Sequence, residues 1–242
     1  MTDNRVAVIT CAVLEIELAH FAREFPQVVR LEVLEQGLHN EPDKLRRELQ
    51  VAIDRVEADS DANVIVLGYG LCCRGTEGVR TRRCRLVIAR AHDCITHLLG
   101  SKEQYAAYVA AHPGTYWYSP GWNKYGKTPG PDRYKNLRQL YAEQFGDDNA
   151  DYLVETEQAW MKNYTRAAFV HLGAGDIAGE WKHTQDCAAW LGWECDFQAG
   201  NPALLRDMLS GPWDNDRFLV LNPGETFRMT ADERVIEKNN PT

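Results

Sequence analysis

Two short apolar runs, Val64–Leu67 and Leu86–Ala89, constrain this chain most. Both are rich in β-branched residues and have the length of buried strands. Each opens into a loop bearing thiols or imidazoles: Cys72 and Cys73 after the first, His92, Cys94 and His97 after the second. In an open α/β sheet, ligands bind in the crevice outside the carboxyl ends of the strands. The two loops are therefore the candidate site, provided that the rest of the chain builds such a sheet.

It has the pattern to do so. Arg5–Thr10 reads as a buried strand ending at Cys11, and Leu14, Leu18 and Phe21 then recur at helical spacing up to Pro26. Val28–Leu34 is a second strand. Asn40 is placed to cap a helix over 41–58, whose apolar stripe is Leu45, Leu49, Ile53 and Val56. Strand and helix in alternation imply parallel crossover units. The predicted fold class is α/β, with parallel Rossmann-like sheets flanked by helices. If the first, third and fourth strands are neighbours, Cys11, Cys72 and Cys94 converge on one crevice.

The second half repeats the rhythm. Residues 115–131 start as a strand and continue as a long aromatic, Gly- and Pro-rich loop. Residues 133–165 are helical in two segments broken near Gly146–Asn149. Strands follow at Ala167–Leu172, Glu194–Phe197 and Phe218–Leu221, with helices between them and a polar, loosely held end from Asp232. The organisation this suggests is two similar lobes with a cleft, an N-terminal lobe over 1–120 and a C-terminal lobe over 121–242. One continuous domain is the alternative.

The formal net charge of −8 argues against nucleic acid and anionic membranes as partners. No apolar run approaches the roughly 20 residues of a membrane span, and MTDNRVAVIT lacks the features of a signal peptide. A cytoplasmic location is expected, and in a reducing compartment the seven cysteines are ligands, reactive thiols or core residues rather than disulfides. Arginines 74, 80, 82, 83, 85 and 90 crowd the two loops; Arg74 and Arg90 are the candidates to bind an anionic small-molecule substrate. Tyr116 and Trp117, in the aromatic stretch, are candidates to bind substrate and shield the site.

Thiolates and imidazoles suit zinc, and a catalytic zinc keeps one position open. Cys11, Cys72 and Cys94 are the expected metal ligands, with Cys73 as an additional donor. A [4Fe-4S] cluster held by three cysteines fits the same arrangement. His92 and His97 are the candidate catalytic acid–base residues. Cys94 sits where a helix should begin, which favours its thiolate, so a metal-free nucleophile is a further reading. Cys84, Cys187 and Cys195 read as core. The glycine-rich GYGLCCRG and GAGDIAG each miss the third glycine of a dinucleotide fingerprint. No phosphate loop is expected to carry the function.

Cys11 with the acidic helix start after it, YG-x-C at 69–72, HDC at 92–94, LLGS at 98–101 and GTYW at 114–117 together resemble a prokaryotic family of unknown function. The resemblance spans about residues 5–170. It implies that Cys11, Cys72 and Cys94 are family positions, that Cys73 and His97 are particular to this chain, and that corrinoid-dependent methyltransferases are often encoded nearby. The GLCC stretch is also similar to the Gly-Cys-Cys of zinc-dependent thiol methyltransferases, a likeness of site rather than of fold. The expected function is that of a metal-dependent enzyme, zinc favoured, acting on a small molecule by thiol or alkyl transfer in one-carbon or corrinoid metabolism. A corrinoid-related protein is its expected partner. The competing expectation is a metal-free cofactor-binding or carrier protein; oligomeric state is left open.

Overall fold

The computed structural model describes residues 4–71 and 74–239. Cys72 and Cys73 lie outside the described residues. The chain forms two compact units, Met1–Tyr105 with Gly200–Thr242, and Ala106–Ala199. The first is discontinuous in sequence, and residue 120, where a lobe boundary was expected, falls within the second.

In the first unit, β1 (Val6–Cys11), β2 (Val28–Leu34), β3 (Val64–Gly68), β4 (Arg85–Ala89) and β8 (Phe218–Leu221) form one sheet in the order β2-β1-β3-β4-β8. The first four strands are parallel and β8 pairs antiparallel to β4. β1 and β3 are apolar but for Thr10 and buried at every position, as strands covered on both faces must be. The expected adjacency of β1, β3 and β4 is met, so their carboxyl ends share one edge. Helix α2 (Pro42–Asp59) buries Leu45, Leu49, Ala52, Ile53 and Val56, the predicted stripe plus Ala52. Its N-cap is Glu41 rather than Asn40, which ends a 3-10 turn over Gln36–Asn40. The C-terminal segment is held more firmly than its polarity suggested: β9 (Phe227–Met229) and β10 (Ile236–Lys238) pair as an antiparallel ribbon with Phe227 and Ile236 buried.

In the second unit, β5 (Thr115–Tyr118), β6 (Arg166–His171) and β7 (Glu194–Ala199) make a parallel sheet in that order. The stretch expected to be an irregular loop contains a short helix, α5 (Pro120–Tyr125). Proline opens it, and the Ser119 hydroxyl accepts the Trp122 N–H as its N-cap. Helices α6 (Pro131–Phe145) and α7 (Asp147–Glu157) break at Gly146, whose φ of 83° suits glycine. Helix α8 (Ile177–Leu191) buries Cys187 and Ala188 against Tyr118, Ala167 and Phe169. No helix among the described residues is long and apolar enough to cross a membrane.

Glycines after β3 close the first unit's site edge by permitting contact rather than by adopting a left-handed backbone. A Cβ on Gly70 would lie 2.4 Å from the Asp93 Cα and 2.5 Å from its carbonyl carbon. The loop after β3 thus presses directly on the loop after β4, and the Leu71 N–H donates to the Ala91 carbonyl at 3.1 Å. Gly70→Ala must push these loops apart and is predicted to cost about 1–3 kcal/mol. Urea unfolding measures this; an unchanged midpoint would contradict the packing.

Candidate functional site

Cys11 is the last residue of β1 and the N-cap of a 3-10 turn over Ala12–Leu14. Its side chain is fully buried. Three groups act on its sulfur: the Cys94 thiol donates to it, the Val13 N–H donates to it, and His39 Nε2 lies 3.1 Å from Sγ. Burial opposes ionisation, yet the hydrogen bonds and the His39 charge win and bring the thiol down from 9.0 to about 5. Cys11 is therefore much more acidic than burial alone would leave it.

Cys94 reaches it from α3 (Cys94–Leu99). Asp93 caps this helix, its Oδ1 accepting the Thr96 N–H at 3.0 Å and the Thr96 hydroxyl at 3.2 Å. The Thr10 hydroxyl donates to the Gly68 carbonyl at 2.9 Å, which ties the end of β1 to the end of β3. The structure thus brings together Cys11 and Cys94, two of the expected ligands, and leaves the third, Cys72, outside the described residues.

His39 was not singled out by sequence. It follows β2, whose Leu34 pairs with Cys11, so its loop opens on the same edge. The rule that picked the other loops applied equally here, but without a thiol the loop drew no notice. Its ring lies 6.0 Å from that of the buried Tyr69.

The other candidates are dispersed. His97 is buried; its Nδ1 is 3.3 Å from the Asp93 carbonyl oxygen, and burial pushes the imidazole down to about 4, so it is neutral near pH 7. Its Nε2 has no hydrogen-bond partner among the described residues. His92 is exposed at the start of the same loop. Arg74 is exposed, its Nε 3.3 Å from Glu77. Arg90 donates to the carbonyls of Asn215 and Arg234, and to that of Ile236, which locks it onto the β9–β10 end of its unit. Tyr116 and Trp117 belong to the second unit, where Tyr116 packs among Tyr118, Trp160, Tyr164 and Trp193, and Trp117 against Tyr108. Cys84, Cys187 and Cys195 are each pushed up to about 11, chiefly by burial, as core thiols should be.

A second residue that escaped the sequence reading is Glu17, at the start of α1 (Glu15–Ala22). It is fully buried, neither carboxyl oxygen has a partner among the described residues, and burial raises it from 4.5 to about 7. One pattern also escaped. Gly121, Gly126, Lys127 and Thr128 meet the G-x-x-x-x-G-K-T spacing of a phosphate loop. Residues between the glycines fold as α5, however, so the spacing occurs without the phosphate-cradling loop.

Could the site hold a metal? Among the described residues, no three His, Cys, Asp or Glu side chains are grouped closely enough. The part described holds two thiols and an imidazole, donor types that zinc takes, with His39 Nε2 3.1 Å from the Cys11 sulfur. Cys72, the other expected ligand, lies outside the described residues.

Fold and site define an α/β protein with a buried, acidified thiol and an imidazole at the carboxyl edge of the parallel strands of its larger sheet. The chain belongs to the family described as "Protein of unknown function (DUF1638)", whose model matches residues 33–209. The match takes in His39 and Cys94 and begins beyond Cys11. No curated protein and no solved structure matches the chain.

Two outcomes follow. In metal-free protein with Cys72 and Cys73 changed to serine, Cys94→Ala removes the strongest influence on Cys11, and the Cys11 pKa rises from about 5 toward 9.0. Thiolate ultraviolet absorbance against pH reads this, because the core thiols near 11 stay silent; an unshifted titration would contradict the contact. Glu17 holds its proton in the folded state up to about 7 but releases it near 4.5 when unfolded, so its contribution to stability falls as pH rises through that window. Glu17→Gln should then stabilise the protein at pH 8 relative to pH 5 by on the order of 3 kcal/mol, measured by denaturant unfolding at both pH values. Equal effects at the two would contradict a buried, unpartnered carboxyl.

Proposed function

We propose that the protein is an enzyme that acts on a small molecule through a zinc ion held by Cys11, Cys94 and Cys72. The observation that carries this is the contact of Cys11 with Cys94 and His39 at the end of a central parallel strand. A thiol acidified while buried is primed for a metal, because ligands must be deprotonated before they bind. Zinc supplies Lewis acidity, which at neutral pH favours the deprotonated form of a bound thiol or water.

The chain's own residues do the rest. Cys94 and the Val13 N–H favour the Cys11 anion. His39, 3.1 Å from that sulfur, can hold a proton at Nε2 and release it to a leaving group. Asp93 fixes the first turn of α3 and so the position of Cys94. Walls of buried apolar residues keep bulk water from Cys11. Transfer of an alkyl group to or from a thiol, in one-carbon or corrinoid metabolism with a corrinoid-related protein as partner, is the reaction that best fits a thiolate-rich zinc site and the family resemblance. A [4Fe-4S] cluster on the same three cysteines is the alternative cofactor.

A second reading rests on the 3.1 Å separation itself. A thiolate beside an imidazole is the arrangement of a cysteine nucleophile, with no metal needed. Elemental analysis of anaerobically purified full-length protein separates the two. The zinc reading predicts about one zinc per chain, lost in Cys72→Ser and Cys94→Ser and retained in His39→Ala. Brown, iron-containing protein would point to the cluster instead. No zinc or iron, with selective alkylation of Cys11 in the wild type, would overturn the metal reading in favour of the nucleophile.

A further inference from the structure

We propose that Cys11 and Cys94 form a redox couple, a dithiol in this structure that peroxide oxidises to a disulfide. Both thiols are free, and the Cys94 thiol donates to the Cys11 sulfur, so the two sulfurs are already in contact. The sheet makes the pair: β1 ends at Cys11, and the loop after β4 leads to α3, whose first residue is Cys94. Cys84, the other described cysteine of this unit, precedes β4 and so lies at the opposite edge. The five residues of that strand set it about 16 Å away, beyond the reach of a disulfide. Among the described residues of the unit, geometry therefore selects one pairing.

Cys11 is the sulfur that attacks, because its hydrogen bonds and His39, 3.1 Å from Sγ, favour its anion. It bonds to one oxygen of hydrogen peroxide, the O–O bond breaks, and the departing hydroxide combines with the proton that Cys11 released. Cys11 is then a sulfenic acid. The Cys94 sulfur attacks it, the S–O bond breaks, and the second hydroxide takes the Cys94 proton. Two thiols and one peroxide give one disulfide and two waters. Each sulfur loses one electron and each peroxide oxygen gains one.

Burial sets the pace of this reaction and protects its product. Cys11 is fully buried and Cys94 is 2% exposed, so peroxide meets them only in local openings of the edge. Once the sulfenic acid has formed, Cys94 is already against it, whereas a second peroxide must wait for another opening. The disulfide is thus reached before the irreversible sulfinic acid. It also takes away two of the three sulfurs proposed to hold zinc, a consequence that rests on the zinc reading; the disulfide itself needs no metal.

Non-reducing peptide mapping tests this on metal-free full-length protein with Cys72 and Cys73 changed to serine, treated with hydrogen peroxide and alkylated after unfolding. The expected result is a peptide pair linked through Cys11 and Cys94, an at least tenfold fall in alkylation of both thiols, and recovery of both with dithiothreitol. Cys94→Ser on the same background should yield no linked pair and should leave Cys11 as a sulfenic acid that dimedone labels. Cys11 that stays alkylatable, that becomes sulfinic acid while Cys94 is present, or that links to another cysteine would overturn the proposal. In zinc-loaded wild-type protein, peroxide should release the metal. A Cys11–Cys94 disulfide formed with zinc still bound would contradict the zinc ligation and leave the redox couple standing.

Discussion

The first unit depends on the adjacency of β1 to β2 and β3. Parallel pairing puts the carboxyl ends of β1, β2, β3 and β4 on one edge, and every loop that leaves that edge is obliged to share the same small volume. Cys11 arrives from β1, His39 from β2 and Cys94 from β4, residues far apart in sequence and adjacent only through the sheet. The fit is tight enough that Gly70 tolerates no Cβ against Asp93. Chain geometry thus does what no local motif does here: it builds a site from single residues.

The electrostatics of that edge run against its burial. A thiol removed from water is normally harder to ionise, as Cys84, Cys187 and Cys195 illustrate. Cys11 goes the other way because a second thiol, a backbone N–H and an imidazole all favour its anion. The contrast separates the core cysteines from Cys11 by environment alone. Glu17 is the counterexample, a buried acid in which burial outweighs the one lowering contact, from its own backbone N–H, so that its pKa rises instead.

Much of this was legible in the sequence. The apolar runs of β1 and β3 and the stripe of α2 announced a parallel α/β fold, and the strand ends pointed to Cys11 and Cys94. His39 was hidden because a loop of GLHN has no chemical signature until its neighbours are known. The arginines were over-read: their density near the thiols in sequence says nothing of direction, and Arg90 turns to carbonyls at β10. Tyr116 and Trp117 lie on β5, the strand with which residues 115–131 were expected to start, and Tyr116 packs against Tyr118 and Trp160. The α5 helix was obscured by the glycines and prolines of that stretch, of which Pro120 in fact starts it.

Zinc-edge X-ray absorption of the full-length protein tests the central claim most directly, because it counts the atoms around the metal. A site built on Cys11, Cys72 and Cys94 predicts three sulfurs at about 2.3 Å with one lighter atom at about 2.0–2.1 Å. A first shell of nitrogen and oxygen alone, or protein that takes up no zinc, would contradict it.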